Sequence, residues 1–197
     1  SVFFLKTGVD ANAEERMLDT LRRSIGPDKK IRIDSNEAWS LPEAVRHLQA
    51  WHARYDIDFA EAPVPVDPIE NMVDLKRRVS VPLAMNEGLW SEQAVMKAIK
   101  SRCADYLTFS FAWVGSLRRF HSLMHAAHIE GQLVCKHRHG ELGISAAAGQ
   151  HMMLSAPNAT DGNQHLAFYL ADDILTAPLP IATGPKWGRI EGPGLGI

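Results

Sequence analysis

The sequence predicts an α/β protein, a parallel (β/α) barrel lacking its first part, and three observations predict it. Three apolar runs each end on a carboxylate: Asp34 closes Ile31–Asp34, Glu61 closes Ile57–Glu61 and Glu87 closes Val81–Glu87. The acids are 27 and 26 residues apart, about the length of one strand, one helix and two short loops. Strand-like and helical segments alternate along the chain, and regular alternation demands a parallel sheet. No Gly-x-Gly-x-x-Gly or Walker-type loop follows any strand, which argues against a doubly wound open sheet.

Ser1–Lys6 reads as a buried strand followed by a loop at Thr7-Gly8, although a domain rarely begins in a strand. A helix from Ala13 to Ser24 carries Met17, Leu18 and Leu21 on one stripe and stops at Gly26-Pro27. Ser40-Leu41-Pro42-Glu43 is a capping-box pattern that starts a helix with Val45, Leu48 and Trp51 inward. Further on, the pattern gives a helix over 67–78, a strand at 82–86 and a helix from the Ser91 cap to Lys100. A strand at 105–109, a helix from Ser116 to Glu130, a strand at 133–136 and an Ala-rich helix over 143–155 complete the series. At most seven strands are counted. Residues 1–177 are expected to form the barrel portion, and the Pro/Gly-rich residues 178–197 a tail packing back on it.

Composition narrows the function. The 197 residues are 46% apolar and 22% charged with a net charge of −2, as in an ordinary soluble globular protein. The basic residues are scattered, so neither a nucleic acid nor a membrane surface is the expected partner. No apolar run of about 18 residues occurs to span a bilayer. Two cysteines, Cys103 and Cys135, without a secretory signal point to a reducing cytoplasm, where buried thiols are ordinary core residues.

The interval between the acids continues in both directions. Lys6 lies 28 residues before Asp34, while Ser110, His137 and Asn163 follow Glu87 at steps of 23, 27 and 26. In a barrel, such a period returns each segment to the same end of the next strand, so these residues converge. Three converging carboxylates repel one another unless a cation lies between them, and oxygen ligands favour a hard ion such as Mg²⁺. The register also places an ammonium on one side of that ion and an imidazole on the other. Removing a weakly acidic proton next to a carboxylate needs a positioned base and a cation that holds the resulting enediolate. Lysine beside a cation and among apolar walls can be that base.

The order of Lys6, Asp34 in Ile-Asp-Ser-Asn-Glu-Ala-Trp, Glu61 in Glu-Ala-Pro-Val-Pro, Glu87 in Asn-Glu-Gly, Val114-Gly115-Ser116, His137 and the tail Glu191–Gly196 resembles the enolase superfamily, in its mandelate racemase/muconate lactonizing enzyme branch. The resemblance covers nearly the whole chain. It implies a modified TIM barrel of the (β/α)7β type, Mg²⁺ on Asp34, Glu61 and Glu87, and catalysis by Lys6 and His137 through abstraction of the proton α to a carboxylate. The family's N-terminal capping domain and first barrel strand have no counterpart in these residues.

The chain departs from the family pattern at several positions. Phe4 replaces the first lysine of a common Lys-x-Lys, Ser110 stands where racemase-like members have an aspartate that orients the histidine, and Asn163 stands where a glutamate is usual. Glu141 is then a candidate to support His137. Asn36, Ser110, Trp113, Lys136, His139, Glu141 and Asn163 form the expected supporting or substrate-binding set, and Trp39, Trp90 and Trp113 follow strands and can wall a pocket. His125, His128 and His151 fall on helices of the outer ring. The expected activity is dehydration of a hydroxy or sugar acid, with racemisation or cycloisomerisation the alternative, and an inactive barrel fragment acting only in assembly the reading from a different class. The expected partners are a small carboxylate substrate and either a second copy or the missing N-terminal part.

Overall fold

The computed structural model describes residues 1–137, 140–163, 170–177, 179 and 189–197. His139 and much of the expected tail lie outside the described residues. Six strands form one sheet in the order β1 to β6: β1 (Val2–Lys6), β2 (Lys30–Asp34), β3 (Ile57–Glu61), β4 (Leu83–Met85), β5 (Tyr106–Phe109) and β6 (Leu133–Lys136). Every neighbouring pair is parallel, and each strand lies beside its neighbours in sequence. An isolated parallel bridge, Val134 to Ala159, continues the curl past β6. The result is an incomplete parallel α/β barrel.

Helices connect the strands: α1 (Ala11–Ile25), α2 (Leu41–Tyr55), α3 (Glu70–Lys76), α4 (Glu92–Ser101), α5 (Phe111–Val114), α6 (Leu117–Ile129) and α7 (Gly143–Ser155). Their starts follow the local chemistry. Asp10 accepts from the backbone N–H groups of Asn12 and Ala13, Ser91 from Ala94 and Ser116 from Arg119, and Ser40 and Glu43 form the capping box of α2. Two elements differ from the sequence reading. The helix expected over 67–78 is only α3, beginning after Pro68-Ile69, and a one-turn helix, α5, stands between β5 and α6.

The strand period of two sorts the side chains, broken in β3 by a register shift that pairs Ile31 with Ile57 but Arg32 with Phe59. Ile31, Ile33, Ile57, Ala60, Leu83, Leu107 and Val134 join the main core with Leu18, Leu48, Met72, Ile99 and Met124 from the surrounding helices. Phe59, Ala84 and Cys135 form a separate cluster with Phe4 and Tyr106 inside the curl. There Arg32 is 2% exposed, lies 4.5 Å from the centre of the Phe59 ring and donates to Asp58 at 2.7 Å and Asp161 at 3.1 Å. Those pairings satisfy a guanidinium that would otherwise be a costly isolated charge in the interior, and they tie 160–162 back onto β2. Ala146 and Ala147 of α7 are covered by Leu179, Ile190 and Leu195.

Candidate active site

In-register pairing aligns the first three polar residues. Lys6 is the Cα partner of Asp34, and Asp34 of Glu61, so three inward side chains stand in a row at the C-terminal ends of β1, β2 and β3. Glu87 joins them from the loop after β4. Asp34, Glu61 and Glu87 each present a carboxylate oxygen, and all three oxygens lie within 4.8 Å of one another. Lys6 Nζ pairs with Asp34 Oδ2 and donates to Asn36 Oδ1 at 2.8 Å. Asn36 in turn donates from Nδ2 to Glu87 Oε1 at 2.8 Å, and its backbone N–H donates to Asp34 Oδ1 at 2.9 Å. It does so from a left-handed conformation, φ 44°, which asparagine tolerates better than most residues.

The electrostatics of this trio demand a positive charge. Burial, reinforced by the neighbouring Asp34 and Glu87, pushes the Glu61 carboxyl up to about 8, and burial also raises Glu87. Carboxylates clustered this closely need a cation or a proton between them, and an all-oxygen donor set fits a hard divalent ion. Thr108, inward on β5, donates to Glu61 Oε2 at 3.3 Å. The sequence reading missed Thr108, although its place two residues before Ser110 puts it on the same inward face.

The remaining expected residues divide differently. His137 follows β6, its backbone N–H donates to Phe109 O at 2.9 Å, and its ring stacks on Trp113 with centroids 4.6 Å apart and planes 28° apart. Trp90, 60% exposed, meets Trp113 edge-on at 6.5 Å. Glu141, the candidate to support His137, has both carboxylate oxygens accepting from Lys136 Nζ, at 2.5 and 2.7 Å. The physical reason is burial. At 4% and 5% side-chain exposure, each charge requires the other. Ser110 is buried, and its hydroxyl accepts from Ala112 N–H at 3.1 Å as the cap of α5. Asn163 accepts from Lys136 N–H at 2.7 Å and donates to Thr160 O. Trp39 packs against α2, tilted to the His47 ring and edge-on to Trp51. His125 and His128 are exposed on α6.

An incomplete parallel barrel that gathers three acids and a lysine at its C-terminal strand ends defines a protein of the enolase-like class. The enolase C-terminal domain-like family matches residues 2–197, and the chain belongs to the enolase superfamily, in the mandelate racemase/muconate lactonizing enzyme branch. It is 26% identical over 196 residues to a hydrophobic dipeptide epimerase of Enterococcus faecalis, covering 98% of this chain and 54% of that protein. An isomerase from Streptomyces coelicolor superimposes with a TM-score of 0.87 at 28% identity, over 98% of this chain and 52% of that one. An L-talarate dehydratase from Polaromonas, complexed with Mg and L-glucarate, superimposes with a TM-score of 0.66 at 25% identity, over 74% of this chain and 41% of that one. Other relatives bear the names of a racemase, two cycloisomerases and a probable glucarate dehydratase. The chain spans about half the length of the curated relatives it matches. Among the described residues, no helix is long and apolar enough to cross a membrane.

Proposed function

We propose that this chain is the catalytic barrel portion of a cytoplasmic Mg²⁺-dependent enzyme that removes the proton α to a carboxylate and then expels a β-hydroxyl. The observation that carries the reading is the convergence of Asp34, Glu61 and Glu87 with Lys6 beside them. A divalent cation held by the three acids would supply positive charge to the substrate carboxylate and to the negative charge that develops as the proton leaves. Lys6 Nζ takes the α-proton, and the C–H electron pair moves into the substrate carboxylate to give an enediolate. Asn36 holds Lys6 and Glu87 in register through its two amide atoms. When the electron pair returns to form the C=C bond, the C–O bond breaks and His137 gives its proton to the departing hydroxyl, releasing water.

The names of the relatives favour a second reading, racemisation or epimerisation. In that reading His137 delivers its proton to the α-carbon on the face opposite Lys6. The open edge of β1, which pairs with β2 only among the described residues, supports a partner strand from a preceding segment or a second copy, since unpaired edges promote association. The test is solvent deuterium incorporation at the α-carbon of hydroxy and acylamino acids with Mg²⁺ present, followed by product analysis. A keto-acid product supports dehydration and loss of optical purity supports the second reading. Absence of Mg²⁺-dependent exchange from every carboxylate tried overturns both.

A further inference from the structure

We infer that Trp113 is the positioning residue for His137, and that Ser110 acts on the imidazole through Trp113 rather than by touching it. The inference rests on the proposed role of His137 and concerns how its ring is aimed. The chain of contacts starts at Ser110. It is fully buried and caps α5, its hydroxyl accepting from Ala112 N–H at 3.1 Å and its carbonyl accepting from Trp113 N–H at 3.1 Å and Val114 N–H at 3.3 Å. A four-residue helix has no stability of its own. The cap and a left-handed Gly115, φ 87°, whose N–H donates back to Phe111 O, therefore decide whether the turn forms at all. Once formed, the turn projects the indole of Trp113 towards the end of β6, where the His137 ring lies on it at 4.6 Å and 28°.

The other side of His137 is fixed by backbone. Its own N–H is bonded to Phe109 O, one residue before Ser110, and the preceding N–H, that of Lys136, is bonded to Asn163. Lys136 itself folds away to Glu141, and its stem fills the space beside Gly149, where a Cβ would stand 2.3 Å from Lys136 Cε. The loop is thus anchored at its root, and the indole face is the flat surface against which the imidazole plane is set. An offset aromatic stack holds an orientation without carrying charge. Position 110 can therefore be a serine and still govern His137.

The experiment uses the full-length protein with Mg²⁺ and compares Trp113→Leu, Trp113→Phe, Ser110→Ala and Ser110→Thr. Two half-reactions are followed separately: α-proton exchange on the Lys6 side and the step that needs His137. Trp113→Leu should slow the His137 step by about 10–100-fold through misplacement of its proton, with kcat falling more than KM changes and Lys6-side exchange altered no more than about threefold. Trp113→Phe should restore most of that loss, and Ser110→Ala should reproduce it in milder form, with Ser110→Thr close to wild type. Equal loss of both half-reactions in a folded Trp113→Leu protein, or no loss in either, overturns the inference.

A structural readout stands apart from activity. The His137 ring signals, identified by their loss in His137→Asn, should be displaced by the indole ring current in the wild type and move towards ordinary values in Trp113→Leu. Unmoved signals overturn the stack. Moved signals in a protein that exchanges no substrate proton support the stack while overturning the proposed reaction, so the two failures are told apart.

Discussion

Lys136, the last residue of β6, and Glu141, two residues before α7, form a buried ion pair, with the ammonium donating to both carboxylate oxygens. Burial lowers the Lys136 ammonium, and Glu141 opposes that shift. Removing one partner strands the other charge in an apolar site. Glu141→Gln or Lys136→Met should therefore cost about 3–5 kcal/mol of stability, read by chemical denaturation. Lys136→Met combined with Glu141→Leu should recover much of that loss, because a matched apolar pair leaves no orphaned charge.

Glu61 gives the metal-free protein a pH dependence of definite sign. Its carboxyl titrates at about 8 in the folded chain against 4.5 as the ordinary value. Between those pH values the folded state holds a proton that the unfolded state has released, so stability falls as pH rises, by up to about 1.4 kcal/mol per pH unit. Denaturation in chelator at pH 5 and pH 8 should show this loss, Glu61→Gln should flatten it, and Mg²⁺ should oppose it.

Lys6 is paired directly with Asp34 of the acid trio. Lys6→Ala should reduce α-proton exchange by about 10²–10⁴-fold, the usual worth of a positioned general base. With Asp34, Glu61 and Glu87 intact, calorimetry should still detect the cation. Near wild-type exchange in Lys6→Ala would move the base elsewhere.

Asn36 touches both the lysine and an acid of the trio. Asn36→Leu should weaken Mg²⁺ binding by about 10–100-fold, the range for residues that orient metal ligands. It should also lower exchange at saturating Mg²⁺, because Lys6 loses one of its two described partners.

The repeating part of the molecule was legible in the sequence and the local part was not. Asp34, Glu61 and Glu87 could be brought together from spacing alone, because a parallel sheet converts equal intervals into adjacent strand ends. Lys6 followed from the same register. The pairing of Glu141 with Lys136 was not legible, because it is set by local contacts after β6, where no period operates. Ser110 reads as a polar strand-end residue, and only the backbone geometry shows that its hydroxyl is engaged in starting a helix. That helix, α5, has four residues, too few to leave a hydrophobic stripe.

The row of Lys6, Asp34 and Glu61, with Glu87 beside it, divides the site in time as well as in space. All four lie within the first 87 residues, whereas Trp113 and His137 come later. Chains are synthesised from the N-terminus and fold progressively, so the half that carries the acids emerges before Trp113 and His137. A nascent chain that captures its ion early has a stabilised template on which β5 and β6 can pair. Acids proposed to serve chemistry in the finished protein would then serve assembly before it.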